Sequence, residues 1–167
     1  RMGRDKARLE IDGVPLFRLA AEALAWTDLR VQAGGDPLPG LGWETLPDRE
    51  PGQGPAAALA TLLERFPEHA LVVRAVDLPW AGAELLRATR RLALAAGCSV
   101  AAPRHGGRWH PLAATWMPAA RRPLEEWLAS GRRDLQGLLD RLPAAALEAR
   151  GLAAIGDPER LLANVNT

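Results

Sequence analysis

Lys6 and Asp77 are the side chains whose types and settings fit chemistry on phosphate groups. Lys6 is the only lysine in a chain that carries 20 arginines. A compact ammonium is a point charge that fits between phosphate oxygens, a task for which the planar guanidinium fork is a poor substitute. A lysine kept where arginine serves everywhere else reads either as a phosphate-neutralising group or as a lone surface residue. Asp77 follows "HALVVRAV" (69–76), the most continuous apolar run of the chain, and precedes Leu78-Pro79. A carboxylate there suits Mg²⁺, which is held by one or two carboxylates together with substrate phosphates. It equally suits the cap of a helix beginning near Ala81 or the turn before Pro79. Taken together, the pair is the minimum set for phosphoryl or nucleotidyl transfer, which demands positioning and charge neutralisation rather than a protein nucleophile. "RMGRDK" is not a Walker A sequence. If a glycine-rich phosphate loop exists, it must lie upstream of Arg1.

Other residues are candidates by type. Asp48 and Gly54 belong to the loop "PDREPGQG", where each serves either a turn or a ligand. His110 stands before Pro111 in "RWHPL". Asn164 and Asn166 are the only asparagines of the chain, and on an extended segment residues two apart project to one side. Ser99 and Ser130, the only serines, sit at a strand and at a helix end. Trp80 and Trp109 adjoin the candidate loops and could line a pocket for a planar ring, whereas the other four tryptophans read as core.

Alternating elements are needed to hold these loops. Helical spacing predicts helices over 15–26, 55–66, 81–96, 119–129 and 132–142, with Pro15 at a favourable first position. Short apolar runs predict strands over 29–33, 43–46, 69–76, 98–103, 111–116 and 146–149. The run 69–76 suits the centre of a sheet covered on both faces. Strands alternating with helices imply an α/β fold of three layers around a mainly parallel sheet, with ligands at the carboxyl ends of the strands. The absence of a linker or internal repeat makes 1–167 one domain.

Composition excludes several classes. The charge of +1, from 21 basic and 20 acidic residues, leaves no broad electrostatic footprint for nucleic acid or an acidic membrane. The apolar runs are too short for a membrane span. One cysteine and three histidines supply neither a disulfide nor a structural zinc set, and Cys98 reads as a thiol in a reducing compartment, hence a cytoplasmic setting.

Five segments carry a resemblance to a known family. "RMGRDKARLEIDGVPLFRLAAEAL" is similar to the amino-terminal signature of the molybdenum cofactor guanylyltransferases, Leu-x-Gly-Gly-x-Ser-x-Arg-Met-Gly-x-Asp-Lys, from its arginine onward. "RAVDLPW" resembles the family's Cys-Asp-x-Pro segment with Val76 in place of Cys, and "PDREPGQGPAAAL" its Asp-x-x-x-x-x-Gly-Pro-Leu-x-Gly stretch, with Ala56 and Ala58 departing. "RWHPLAATW" and "NVNT" are similar to its His-Pro-Leu and Asn-x-Asn-Thr segments, in the same order. "VQAGGD" lacks the asparagine that the family often has there.

The resemblance implies a Rossmann-like nucleotidyltransferase fold whose first strand and glycine-rich loop precede residue 1. It implies transfer of GMP from GTP to molybdopterin cofactor, with Mg²⁺ and release of pyrophosphate. By matching positions, Lys6 would neutralise the nucleotide phosphates, Asp77 would hold Mg²⁺ and Arg1 would assist at the loop. Asp48 and Gly54 would border the guanosine, and His110, Asn164 and Asn166 would face the pterin. The implied partners are proteins of molybdenum insertion and molybdoenzyme maturation. Two alternatives stay open: a cytidylyl or sugar-phosphate nucleotidyltransferase of the same fold, and a non-catalytic carrier of nucleotide or cofactor.

Overall fold

The structure, a computed structural model, describes residues 6–47 and 54–165. A 3-10 turn at Lys6–Arg8 leads into a hairpin of β1 (Glu10–Ile11) and β2 (Val14–Pro15). Its two-residue turn, Asp12-Gly13, has φ of 52° and 78°, the left-handed pair for which Asp-Gly is the preferred dipeptide. Leu16 N then donates to Leu9 O at 2.8 Å, which starts α1 (Leu16–Ala23) against the base of the hairpin.

Two sheets follow. In the smaller, β3 (Val31–Ala33) lies parallel to β4 (Glu44–Leu46). The larger holds β5 (Leu71–Arg74), β6 (Val100–His105), β7 (Arg108–Trp109), β8 (Ala113–Trp116) and β9 (Ala144–Leu147), with β8 between β5 and β6 and with β9 on the other side of β6. α2 (Pro55–Arg65) precedes β5, and α3 (Ala83–Ala96) connects β5 to β6. α4 (Arg121–Ala129) and α5 (Leu135–Leu139) connect β8 to β9, and two short helices, α6 (Ala149–Ala153) and α7 (Pro158–Leu161), end the described chain.

The expected mainly parallel sheet is corrected here. In the larger sheet only β6 and β9 pair in parallel, while β5–β8, β6–β8 and β6–β7 are antiparallel. The reason is connection length. β5 and β6, joined through α3, run the same way, and β9 runs with them, but β6 folds back through the tight turn at Gly106-Gly107 into β7 and on into β8, too short a path for a parallel crossover. Among the described residues β5 ends the strand order of the larger sheet.

Helices cover both faces of the larger sheet. Ala114 and Trp116 of β8, with Val100 and Ala102 of β6, pack against Leu59 and Leu63 of α2, Leu124 of α4 and Leu138 of α5. Ala113, one residue out of phase, packs with Leu85 of α3, Leu78 and Leu152. This period of two is the strand's own alternation. Thr115 faces α3 as well, bonding Thr89 Oγ1 at 3.0 Å in a fully buried pair. The alanines at 101, 102, 113 and 114 are all fully buried, and their small size leaves the helices room to approach.

Between the two sheets lies a cleft of about 970 Å³, lined by β3 on one side and β5 on the other. Each of these strands has one edge without a strand partner among the described residues.

Candidate active site

The carboxyl end of β5 is where separate parts of the chain converge. Asp77 sits three residues past β5 on a loop that Pro79 and the start of α3 limit to a few residues. Lys6 Nζ comes to 4.0 Å from Asp77 Oδ2, with the side chains 46% and 26% exposed, so the pair is open to a ligand yet not free in solvent. From the other end of the chain, Val165 N donates to Asp77 O at 2.9 Å and brings exposed Asn164 alongside. From the middle, Leu112 O accepts from Ala75 N at 2.7 Å, which ties the His110-Pro111-Leu112 segment to the base of the same loop. Three of the five signature segments thus meet a fourth, the Asp77 loop, by direct bonds or ion pairing.

His110 is half-buried, and its backbone N–H donates to Pro103 O at 2.9 Å. Burial, and then the charges of Arg108 and His105, lower the pKa of its imidazole from the usual 6.5. The ring is held toward its neutral form, in which one nitrogen can accept a hydrogen bond.

Gly54 is the residue before α2 and lines the cleft between the sheets, as do Ala75 and Val76 of the Asp77 loop. Its φ of 77° with ψ of −174° lies in the region that only glycine occupies without strain. Arg1, Asp48 and Asn166 lie outside the described residues. Trp109 is 7% exposed, its indole N–H donating to Asp140 Oδ1 at 2.8 Å and its backbone bonded both ways to Gln136, so it belongs to the core. Trp80 is only partly buried, beside the Asp77 loop, with the Arg160 guanidinium 6.0 Å over its ring.

One residue of the site escaped the reading of the sequence. Arg74 closes β5 and is buried, with 9% exposure. Its Nε donates to Ala81 O at 2.9 Å and its Nη2 to Leu78 O at 2.8 Å. Burial pushes its guanidinium down to about 10, opposed by the nearby charge of Asp77, and at neutral pH it is fully cationic. The signal for it is a single charge inside "LVVRAV", where every neighbour is apolar.

The sequence matches the family profile of the MobA-like NTP transferase domain over residues 1–147. The chain belongs to this family. Among curated relatives, the molybdenum cofactor guanylyltransferase of Cereibacter sphaeroides is 36% identical over 150 residues, which span 86% of this chain and 76% of the relative. The probable molybdenum cofactor guanylyltransferase of Synechococcus elongatus is 34% identical over 149 residues, covering 83% and 77%. Among solved structures, molybdopterin-guanine dinucleotide biosynthesis protein A from Archaeoglobus fulgidus superposes over 100% of this chain and 87% of its own, with a TM-score of 0.82 at 24% identity. The 2-C-methyl-D-erythritol 4-phosphate cytidylyltransferase of Thermus thermophilus gives 0.66 over 97% and 88%, at 22% identity. These two likenesses establish the fold as that of a nucleotidyltransferase, and membership of the NTP transferase family makes the chain an enzyme of that class.

Proposed function

We propose that this nucleotidyltransferase moves GMP from GTP to molybdopterin cofactor and releases pyrophosphate. The observation that carries the reading is the Lys6–Asp77 pair, 4.0 Å apart at the end of β5 and joined there by the Asn164-Val165 tail. The names of the relatives support the same substrates.

In the reaction, an oxygen of the terminal pterin phosphate attacks the α-phosphorus of GTP. A new P–O bond forms as the bond to the bridging oxygen breaks, and pyrophosphate leaves with the electron pair. Nothing in this exchange requires a protein nucleophile. Lys6 neutralises the phosphate oxygens and holds them in line. Asp77 is the residue that would hold Mg²⁺. No group of three or more His, Cys, Asp or Glu is gathered among the described residues, and a single partly exposed carboxylate suits an ion that keeps its waters and takes its remaining ligands from phosphates. Bound there, Mg²⁺ supplies charge neutralisation and Lewis-acid polarisation of the phosphates. Asp48 and Gly54 border the guanosine, Arg1 supports the phosphates, and His110, Asn164 and Asn166 face the pterin.

The same reading gives the cleft an occupant. β3 and β5 present edges without a strand partner among the described residues to one trough, and a strand from a segment before residue 1, leading into a glycine-rich loop, would join the two sheets into one Rossmann-like sheet. No helix among the described residues is long and apolar enough to cross a membrane. The proposed product is handed on to proteins of molybdoenzyme maturation, in the cytoplasm.

The experiment is incubation with Mg²⁺, molybdopterin cofactor and each of GTP, CTP and UTP, with pyrophosphate measured. Release with GTP alone, abolished by Lys6→Ala and by Asp77→Ala, is the expected result. Release with CTP and not GTP refutes the guanylyl assignment, and release with none assigns the protein a carrier role.

A further inference from the structure

We propose that Arg74 is a positioning residue that sets the geometry of the Asp77 carboxylate by clamping the loop on which it stands. The inference rests on the metal role given to Asp77 above. A guanidinium buried to 9% exposure is costly to keep, and apolar residues of similar size frequently do as well or better for stability alone. Arg74 nonetheless spends Nε on Ala81 O and Nη2 on Leu78 O, while its buried Nη1 finds no hydrogen-bond partner among the described residues. Its two bonds therefore go to carbonyls of the segment between Asp77 and α3, and to nothing in the sheet from which it springs.

The planar fork is suited to this task. Nε and Nη2 lie in one rigid plane, so two carbonyls held to them at 2.9 and 2.8 Å are fixed relative to each other. Leu78 is the next residue after Asp77, and Leu78 N donates back to Ala75 O at 3.3 Å. Fixing Leu78 thus fixes the turn from Ala75 to Leu78, which contains Asp77. A lysine could supply charge but not the fork. The Arg74 cation is also near enough to interact electrostatically with Asp77, and Lys6 Nζ stands 4.0 Å from the carboxylate. Groups that orient a metal's ligand in this way commonly change metal affinity by 10- to 100-fold when removed.

The test is a double-mutant cycle on Mn²⁺ binding, read by the electron paramagnetic resonance signal of free Mn²⁺ in the presence of GTP, for the parent, Arg74→Met, Asp77→Asn and the double variant. The expected result is that Arg74→Met weakens Mn²⁺ binding by about 10-fold in the parent and leaves it unchanged in the Asp77→Asn background. Arg74→Lys, which keeps the charge, is expected to recover only part of the loss. Should Arg74→Met fold poorly, Arg74→Lys alone serves, with hydrogen exchange of residues 75–82 expected to rise in it. Equal losses with and without Asp77, or Arg74→Lys matching the parent in both Mn²⁺ binding and exchange, overturn the positioning role while the metal assignment stands. No effect of Asp77→Asn on Mn²⁺ binding overturns both.

Discussion

Replacement of Lys6 by alanine separates chemistry from stability more sharply than any other change at this site. The Coulomb attraction of two unit charges 4.0 Å apart is about 1 kcal/mol in water and about 4 kcal/mol at an effective dielectric constant of 20. With side chains 46% and 26% exposed, solvent screening and the entropy of holding a lysine chain reduce the net value to about 0.2–1 kcal/mol. For a domain of this size, 1 kcal/mol moves Tm by about 2–4 °C. Lys6→Ala is therefore expected to lower Tm by no more than about 4 °C in a calorimetric scan. Its effect on kcat/KM is expected to be about 10²- to 10³-fold, the loss typical of one preorganised group that stabilises developing charge. Lys6→Arg keeps a cation against Asp77 and hence the Tm, but the bulkier fork should still cost about 10-fold in rate. Pyrophosphate release under saturating Mg²⁺, compared with calorimetry on the same preparations, decides the matter. A Lys6→Ala protein within threefold of the parent refutes the phosphate role of Lys6, and a loss of rate accompanied by a Tm drop beyond about 8 °C assigns the residue to folding instead.

Three further outcomes are expected. Thr89 Oγ1 donates to Leu86 O at 2.8 Å, so in its bond to Thr115 the Thr115 hydroxyl is the donor; Thr115→Val should cost about 1 kcal/mol and Thr89→Val about 2, since the latter orphans a buried donor, while the double variant should cost less than their sum in urea titrations. Gly54→Ala should cost about 1–3 kcal/mol by the same measurement, because the backbone at φ 77° and ψ −174° is strained for any residue with a Cβ. His110 has its folded pKa lowered below 6.5, so the unfolded chain binds the proton first, and stability falls as pH drops from about 6.5 toward the lowered value before levelling; in His110→Gln the loss of stability between pH 7 and pH 5 should be smaller than in the parent.

Some elements of the fold were legible because one local pattern decides them. The helix α3 has apolar residues at helical spacing on both sides of Thr89 and ends at Gly97 in the left-handed conformation, and its expected range of 81–96 differs from Ala83–Ala96 only at the start. The strand β5 was legible as a strand, but its neighbours were not, since continuous apolar character reports burial on two faces and says nothing about which edges are paired. Sheet direction was misjudged because alternation of helices and strands implies parallel neighbours only where every connection carries a helix, and Gly106-Gly107 breaks that condition with a two-glycine turn. The β1–β2 hairpin was missed although "IDGV" carries its signal, an Asp-Gly pair between β-branched residues. Residues 149–161 hold two helices of five and four residues, too short for a period of 3.6 to declare itself.

The site divides along a different line. Lys6 and Asp77 were legible as candidates because a residue type can be read from a sequence, and the structure brings the two within 4.0 Å of each other. What brings Asn164 and the His110 segment to them is backbone: Val165 N to Asp77 O, and Ala75 N to Leu112 O. Any residue but proline can donate such a bond, so no residue type marks it, and only the fold reveals the partners. Nucleotidyl transfer gains from this arrangement. A reaction that depends on holding phosphates, metal ligand and acceptor in fixed relation benefits from a loop tied to several distant segments, because each bond removes freedom that would otherwise be lost when the substrates bind. Arg74 differs from these backbone bonds in holding the loop by its side chain, and substitution there can accordingly test whether the loop's geometry, rather than its mere presence, governs the carboxylate.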